Sequence, residues 1–286
     1  MNYRILGAFA LTTGILLSAC GTDTNETSTA PAPSDTPSES PDLTAETEAY
    51  KAFALDQMDD FVLDTEKFVN AVNAGNIEEA KEIYPLARMY FERSEPIAES
   101  FGDLDPRIDA RLADIQEEGQ GEEEWSGYHK IEYGLWVENT TDGYGEVADQ
   151  LLKDAKELRA RVETVEVSPD LMITGAVDLL NEVSTSKITG EEEIYSHTDL
   201  YDFKANIEGA EKIFEILKEK IASKDQDLVK ELDNKFTTID DLLAKYEDGK
   251  GGYISYEELT KEDTKALSEA VNQLGEPLSM MGIVME

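Results

Sequence analysis

From Thr44 to the C-terminal end, apolar residues recur at a spacing near 3.6, and no apolar–polar alternation is long enough to matter as a strand. That pattern confines the chain to an all-α architecture. Ala52, Leu55, Met58, Val62, Phe68, Val69 and Val72 form the stripe of a first helix, which starts just after Asp42. Ala74-Gly75-Asn76 ends it and opens a second helix toward Ser100, in which Pro85 predicts a kink or break. A turn follows at Gly102–Asp105, and Pro106 suits the first position of a short helix through Ile115. Glu117 to Gly127 reads as a polar loop. Further helices are expected over 128–137, 144–165, 169–186, 200–222, 225–245 and 260–274, with a loop over 189–199. Gly249-Lys250-Gly251-Gly252 separates the last pair. About eight antiparallel helices with short loops predict bundle architecture, with two bundles end to end as one arrangement.

The N-terminus reads as an export signal. Arg4 is followed by an apolar run from Ile5 to Leu17, shorter than the roughly 20 residues a membrane span requires. Leu17-Ser18-Ala19-Cys20 resembles a bacterial lipobox, which implies a signal peptide over 1–19 and a lipid on the Cys20 thiol. Cys20 is the only cysteine, so an intrachain disulfide framework is excluded. Residues 20–43 are rich in Ser, Thr and Pro and too poor in apolar surface to offset the entropy of ordering, so they are expected to act as a tether. The folded domain is expected over 44–286. The chain carries 63 acids against 25 bases, a net charge of −38. Such a surface disfavours nucleic acid and anionic membranes and favours cations, although solubility alone accounts for most of these carboxylates.

Trp125-Ser126-Gly127-Tyr128-His129-Lys130-Ile131-Glu132 holds one of only two histidines. On a helix His129 and Glu132 share a face and can converge on a transition metal. The bland reading is a solvated helix face, because H-x-x-E arises easily in so acidic a chain. Upstream, Glu92, Glu95 and Glu99 fall at i, i+3 and i+7, and Asp105 and Asp109 at i and i+4. Three successive segments therefore offer O, O and mixed N/O donors, a set that suits iron, manganese, calcium or zinc.

Three runs, Tyr90–Pro106, Trp125–Glu132 and Ser184–Asp199, resemble imelysin-like proteins, and within them the EfeO/EfeM lipoprotein component of the Efe ferrous-iron uptake system. Ala270–Ser279 adds to the likeness, which extends from about Ala45 to the end. The resemblance implies two antiparallel four-helix bundles packed as one elongated domain, with iron, Fe2+ or Fe3+, bound in the cleft between them. Zn2+ or other divalent ions are expected to bind in vitro. It further implies an iron permease and a haem peroxidase as partners, attachment to the outer face of the cell membrane through the N-terminal lipid, and a monomer. Many such proteins carry a cupredoxin domain ahead of this one; Gly21 to Asp42 is too short and polar for that. By resemblance the metal ligands are His129, Glu132, Glu92, Glu95, Asp109, Glu191 and Glu193, with the choice among Glu191, Glu192 and Glu193 open. His197 is expected as a supporting group or helix cap, and Arg88 and Arg93 as counterions of buried carboxylates. Two other readings compete. A zinc peptidase is one, against which stand the absence of H-E-x-x-H or its inverse and the shortage of histidines. A polymer-binding protein is the other, against which stands the acidity.

Overall fold

The structure is a computed structural model, and it describes residues 42–185 and 187–285. The signal segment, Cys20 and all but the end of the tether lie outside the described residues. Those described fall within one compact unit, Ser40–Glu286. Eleven α-helices follow in order: α1 Thr44–Asn73, α2 Ile77–Arg93, α3 Glu95–Ala98, α4 Asp105–Asp109, α5 Leu112–Glu117, α6 Gly127–Tyr133, α7 Gly145–Thr164, α8 Pro169–Thr185, α9 Asp199–Lys224, α10 Gln226–Leu243 and α11 Lys261–Met285. No strand occurs among the described residues beyond an isolated bridge between Glu247 and Tyr253.

The apolar core divides into two clusters. One gathers Met58, Phe61, Phe68, Tyr84, Phe91, Tyr128 and Leu158 from α1, α2, α6 and α7. The other gathers Leu179, Phe203, Phe214, Phe236 and Leu274 from α8 to α11. The clusters meet where α2 packs on α9. Gly209 permits that approach, since a Cβ there would stand 2.5 Å from the Arg93 carbonyl oxygen.

Three local expectations are corrected. α2 runs unbroken through Pro85. A proline inside a helix costs about 3 kcal/mol, but Tyr84, Ala87 and Phe91 around it are fully or almost fully buried, and large apolar side chains contribute roughly 1.5–3 kcal/mol each. α11 continues past Leu274 to Met285, because Leu278, Met281 and Met285 extend its buried stripe. The short helix expected over 106–115 is two, α4 and α5, parted by extended backbone at Ala110 and Arg111. The loop after α5 satisfies the polar groups at that break: the Trp125 indole N–H donates to the Ala110 carbonyl at 2.8 Å and the Ser126 hydroxyl to that of Arg107 at 3.0 Å.

Candidate metal centre

The break between α4 and α5 and the start of α6 together set the site. Gly127 has φ +81°, and a Cβ there would lie 2.2 Å from the Ile108 carbonyl oxygen. Only glycine lets α6 begin directly against α4, and this contact brings His129 opposite Asp109. α6 then passes into a π-helical turn, Gly134–Glu138, closed by left-handed Asn139.

His129 and Glu132 converge, but in unequal roles. The Nδ1 of His129 lies 3.0 Å from Glu132 Oε2, while Glu132 Oε1 accepts the backbone N–H groups of Tyr195 at 3.0 Å and Ser196 at 2.7 Å. Glu132 Oε2 accepts from Nδ1–H, so once the ring gives up its second proton the lone pair is on Nε2. Among the described residues Nε2 is buried without a hydrogen-bond partner. Its nearest carboxylate is Asp109, at 3.8 Å. Donor atoms of Asp109, His129 and Glu192 lie within 4.8 Å of one another, as do those of His129, Glu132 and Glu193. A carboxylate behind the ring and carboxylates in front of it is the arrangement by which proteins aim a histidine at a metal.

The site opens on an acid-lined cleft of about 420 Å³, with Glu95, Glu99, Asp105, Asp109, Glu182 and Glu192 in its wall. A cavity of about 220 Å³, lined by Trp125, His129, Glu132, Ile194 and Tyr195, lies beside it, and Glu192 and Arg111 border both.

The other expected ligands are placed differently. Glu92 and Glu95 are buried but engaged by cations of the chain itself. Glu92 Oε1 pairs with Arg88 at 2.7 Å and Glu92 Oε2 with Lys187 at 2.8 Å. Asn206 donates to Glu92 Oε2 at 3.1 Å and to Glu95 Oε2 at 3.0 Å. Of the acidic trio, Glu192 and Glu193 are buried and Glu191 is exposed at the rim of the smaller cavity. His197, left-handed at φ +58°, points toward Glu257 at 3.7 Å and neither supports the centre nor caps α9. Arg93 pairs with Glu208 at 2.6 Å, on the face where α2 meets α9 and apart from the centre.

Arg88 is the hub. It is fully buried and pairs with Glu92, Asp109, Glu193 and Asp202. Asp199, Asp202 and Asn206, all buried, are contributions of α9 that the sequence reading missed. Their spacing of i, i+3 and i+7 inside an apolar stripe was the available signal. Burial and Arg88 press the His129 pKa down, but Glu193, Glu132 and Asp109 outweigh them and raise it to about 9. Burial lifts Asp109 to about 7 against the pull of Arg88. Burial also pushes Glu193 up, yet Arg88 and His129 hold it at about 2. Burial presses the Lys187 ammonium toward neutrality, and the carboxylates led by Glu92 reverse that, so its pKa stands well above the ordinary value.

An all-helical fold with a buried imidazole and carboxylates at the edge of an acidic cleft defines a helical protein with a candidate metal centre. The chain belongs to the imelysin family, whose model, that of peptidase family M75, matches residues 46–281. It is 53% identical over 286 residues to an "Efem/EfeO family lipoprotein" of Staphylococcus haemolyticus, covering 98% of this chain and 99% of that one. It is 54% identical over 246 residues to proteins of the same description in Staphylococcus aureus strains MSSA476 and MW2, covering 86% of both chains. Among the described residues no helix is long and apolar enough to cross a membrane.

Proposed function

We propose that the chain is a lipid-anchored protein that captures iron outside the membrane, at His129, Asp109 and Glu192, and delivers it to an iron permease. One observation carries this reading: the buried, unpartnered Nε2 of His129 faces carboxylates at the edge of an acidic cleft. A buried polar group without a hydrogen-bond partner is costly, and a cation that displaces the Nε2 proton would supply that partner among the carboxylates already there. The relatives' description as lipoproteins supports the anchor, and their Efem/EfeO description supports iron as cargo. A haem peroxidase is proposed as a further partner.

Two measurements test the reading. His129→Ala should weaken iron binding at least about tenfold, near 1.4 kcal/mol, in titrations with Fe(II) and Fe(III) under argon. Glu117→Gln, at an exposed position on α5, should change little; equal losses in both variants would mean diffuse attraction to an acidic surface. Cys20→Ala should move the protein from the membrane fraction to the soluble one, and unchanged partitioning would remove the anchor. The family's peptidase label favours a second reading as a zinc hydrolase. Helical zinc hydrolases use two histidines at short spacing, whereas the chain's other histidine, His197, faces Glu257. Zinc-dependent peptide cleavage lost in His129→Ala would establish that alternative.

A further inference from the structure

Beside the His129 centre lies a second acidic constellation, and a cation already sits in it. The Lys187 ammonium is buried, 2.8 Å from Glu92 Oε2, 3.0 Å from Glu182 Oε2, 3.7 Å from Glu95 Oε2 and 4.0 Å from Glu192 Oε1. Oxygens of Glu95, Glu99 and Glu182 lie within 4.8 Å of one another. We propose that Lys187 is a resident cation of this cage, and that it limits the protein to a single metal ion, held at His129.

The argument is one of charge and reach. An ammonium is a compact point charge on a flexible stem, so it can sit among carboxylates from α2, α3, α8 and the loop after α8. With Lys187 there, Glu92 has a cation on each of its oxygens and Glu95 shares the ammonium and the Asn206 amide. Glu92 is thus held through both oxygens and Glu95 through Oε2, whereas the Arg88 pair with Asp109 is made through Oδ1. Glu192 faces both ways: it touches the edge of the ammonium cage and belongs to the His129 donor set. An ion bound there meets a like charge beyond Glu192, and that repulsion grows in proportion to the ion's own charge. Lys187 therefore weakens a trivalent ion more than a divalent one. The inference rests on the metal-capture reading above and adds to it the number of ions and the balance between oxidation states.

The test counts ions on the full chain by calorimetry and terbium luminescence, with Mn2+ and Tb3+ as probes. Wild type should bind one ion. Lys187→Met should bind two, and its His129-site affinity should rise more for Tb3+ than for Mn2+. Lys187→Arg, which keeps the charge, should stay at one, and this contrast with Lys187→Met ties the ion count to the charge and not to the shape of the lysine. If Lys187→Met does not fold, Lys187→Gln, which keeps a donor in the cage without the charge, is counted the same way and should bind two. One ion in wild type and in the folded neutral variant overturns the role of Lys187 and leaves the metal centre intact. Two ions in wild type overturn it as well. No ion in wild type, by contrast, overturns the metal-capture reading itself, and this inference with it.

Discussion

At the scale of single residues, the proposed centre sets a metal ion in competition with protons and with cations of the chain. His129 must be neutral to ligate, yet its surroundings raise its pKa to about 9. Metal binding must therefore expel a proton at any pH below that value. Apparent affinity should fall about tenfold for each pH unit between about 9 and 7, and more steeply below about 7, where Asp109 also takes up a proton; this window is higher than the unperturbed imidazole value of about 6.5 leads one to expect. The stability of the metal-free protein runs the other way. A histidine whose pKa is raised on folding contributes fully below its unfolded value, and that contribution is lost as pH rises through the folded one. Metal-free protein should thus become less stable between about pH 6.5 and 9 while its metal affinity increases. Titrations at three pH values, paired with urea unfolding without metal, check both signs. A flat affinity profile would show that His129 does not ligate.

At the scale of helices, the close approach of α6 to α4 is decided at Gly127. Alanine there would combine a left-handed φ with a Cβ driven into the Ile108 carbonyl. Gly127→Ala should cost at least about 2 kcal/mol, the middle of the range for such backbone strain, and should weaken metal binding by moving His129 off Asp109. A lowered urea midpoint with unchanged metal affinity would separate the contact from the site. How legible these features were follows from their physics. Long helices show in the sequence because burial imposes the 3.6-residue spacing; α1, α7, α9 and α10 fall close to where that spacing puts them. The joining of His129 to Asp109 does not show, because it depends on a carbonyl contact between two short helices. Glu92 and Glu95 illustrate a different gap. Their spacing reveals one shared face, but nothing local reveals that Lys187, some ninety residues later, occupies it. Arg88 was expected to balance buried carboxylates; that two of the four, Glu193 and Asp202, arrive from the other half of the fold is information only the tertiary structure holds.

At the scale of the molecule, the residues of the proposed donor set come from segments packed in both apolar clusters. Asp109 and His129 belong to segments packed with the first, on α4 and α6, whereas Glu192 lies in the segment joining α8 to α9, which pack in the second. The direct ties between the halves at this point are polar: Arg88 on α2 to Asp202 on α9, and Asn206 on α9 to Glu92 on α2. Buried ion pairs of this kind specify geometry more than they stabilise, because desolvation offsets much of their attraction. A metal ion at the proposed site would add a tie that the unfolded chain cannot form. At free metal of 100 times Kd, preferential binding to the folded state contributes about 2.7 kcal/mol. For a domain of this size each kcal/mol moves the melting point by about 2–4 °C, so saturation should raise Tm by roughly 5–11 °C. The increase should grow with metal concentration, shrink in Glu192→Gln and vanish in His129→Ala. Ions spread over the acidic surface would instead raise Tm equally in all three proteins. That outcome would mean the two halves are held together without help from a bound ion, and that the cluster around His129 is only a buried polar junction.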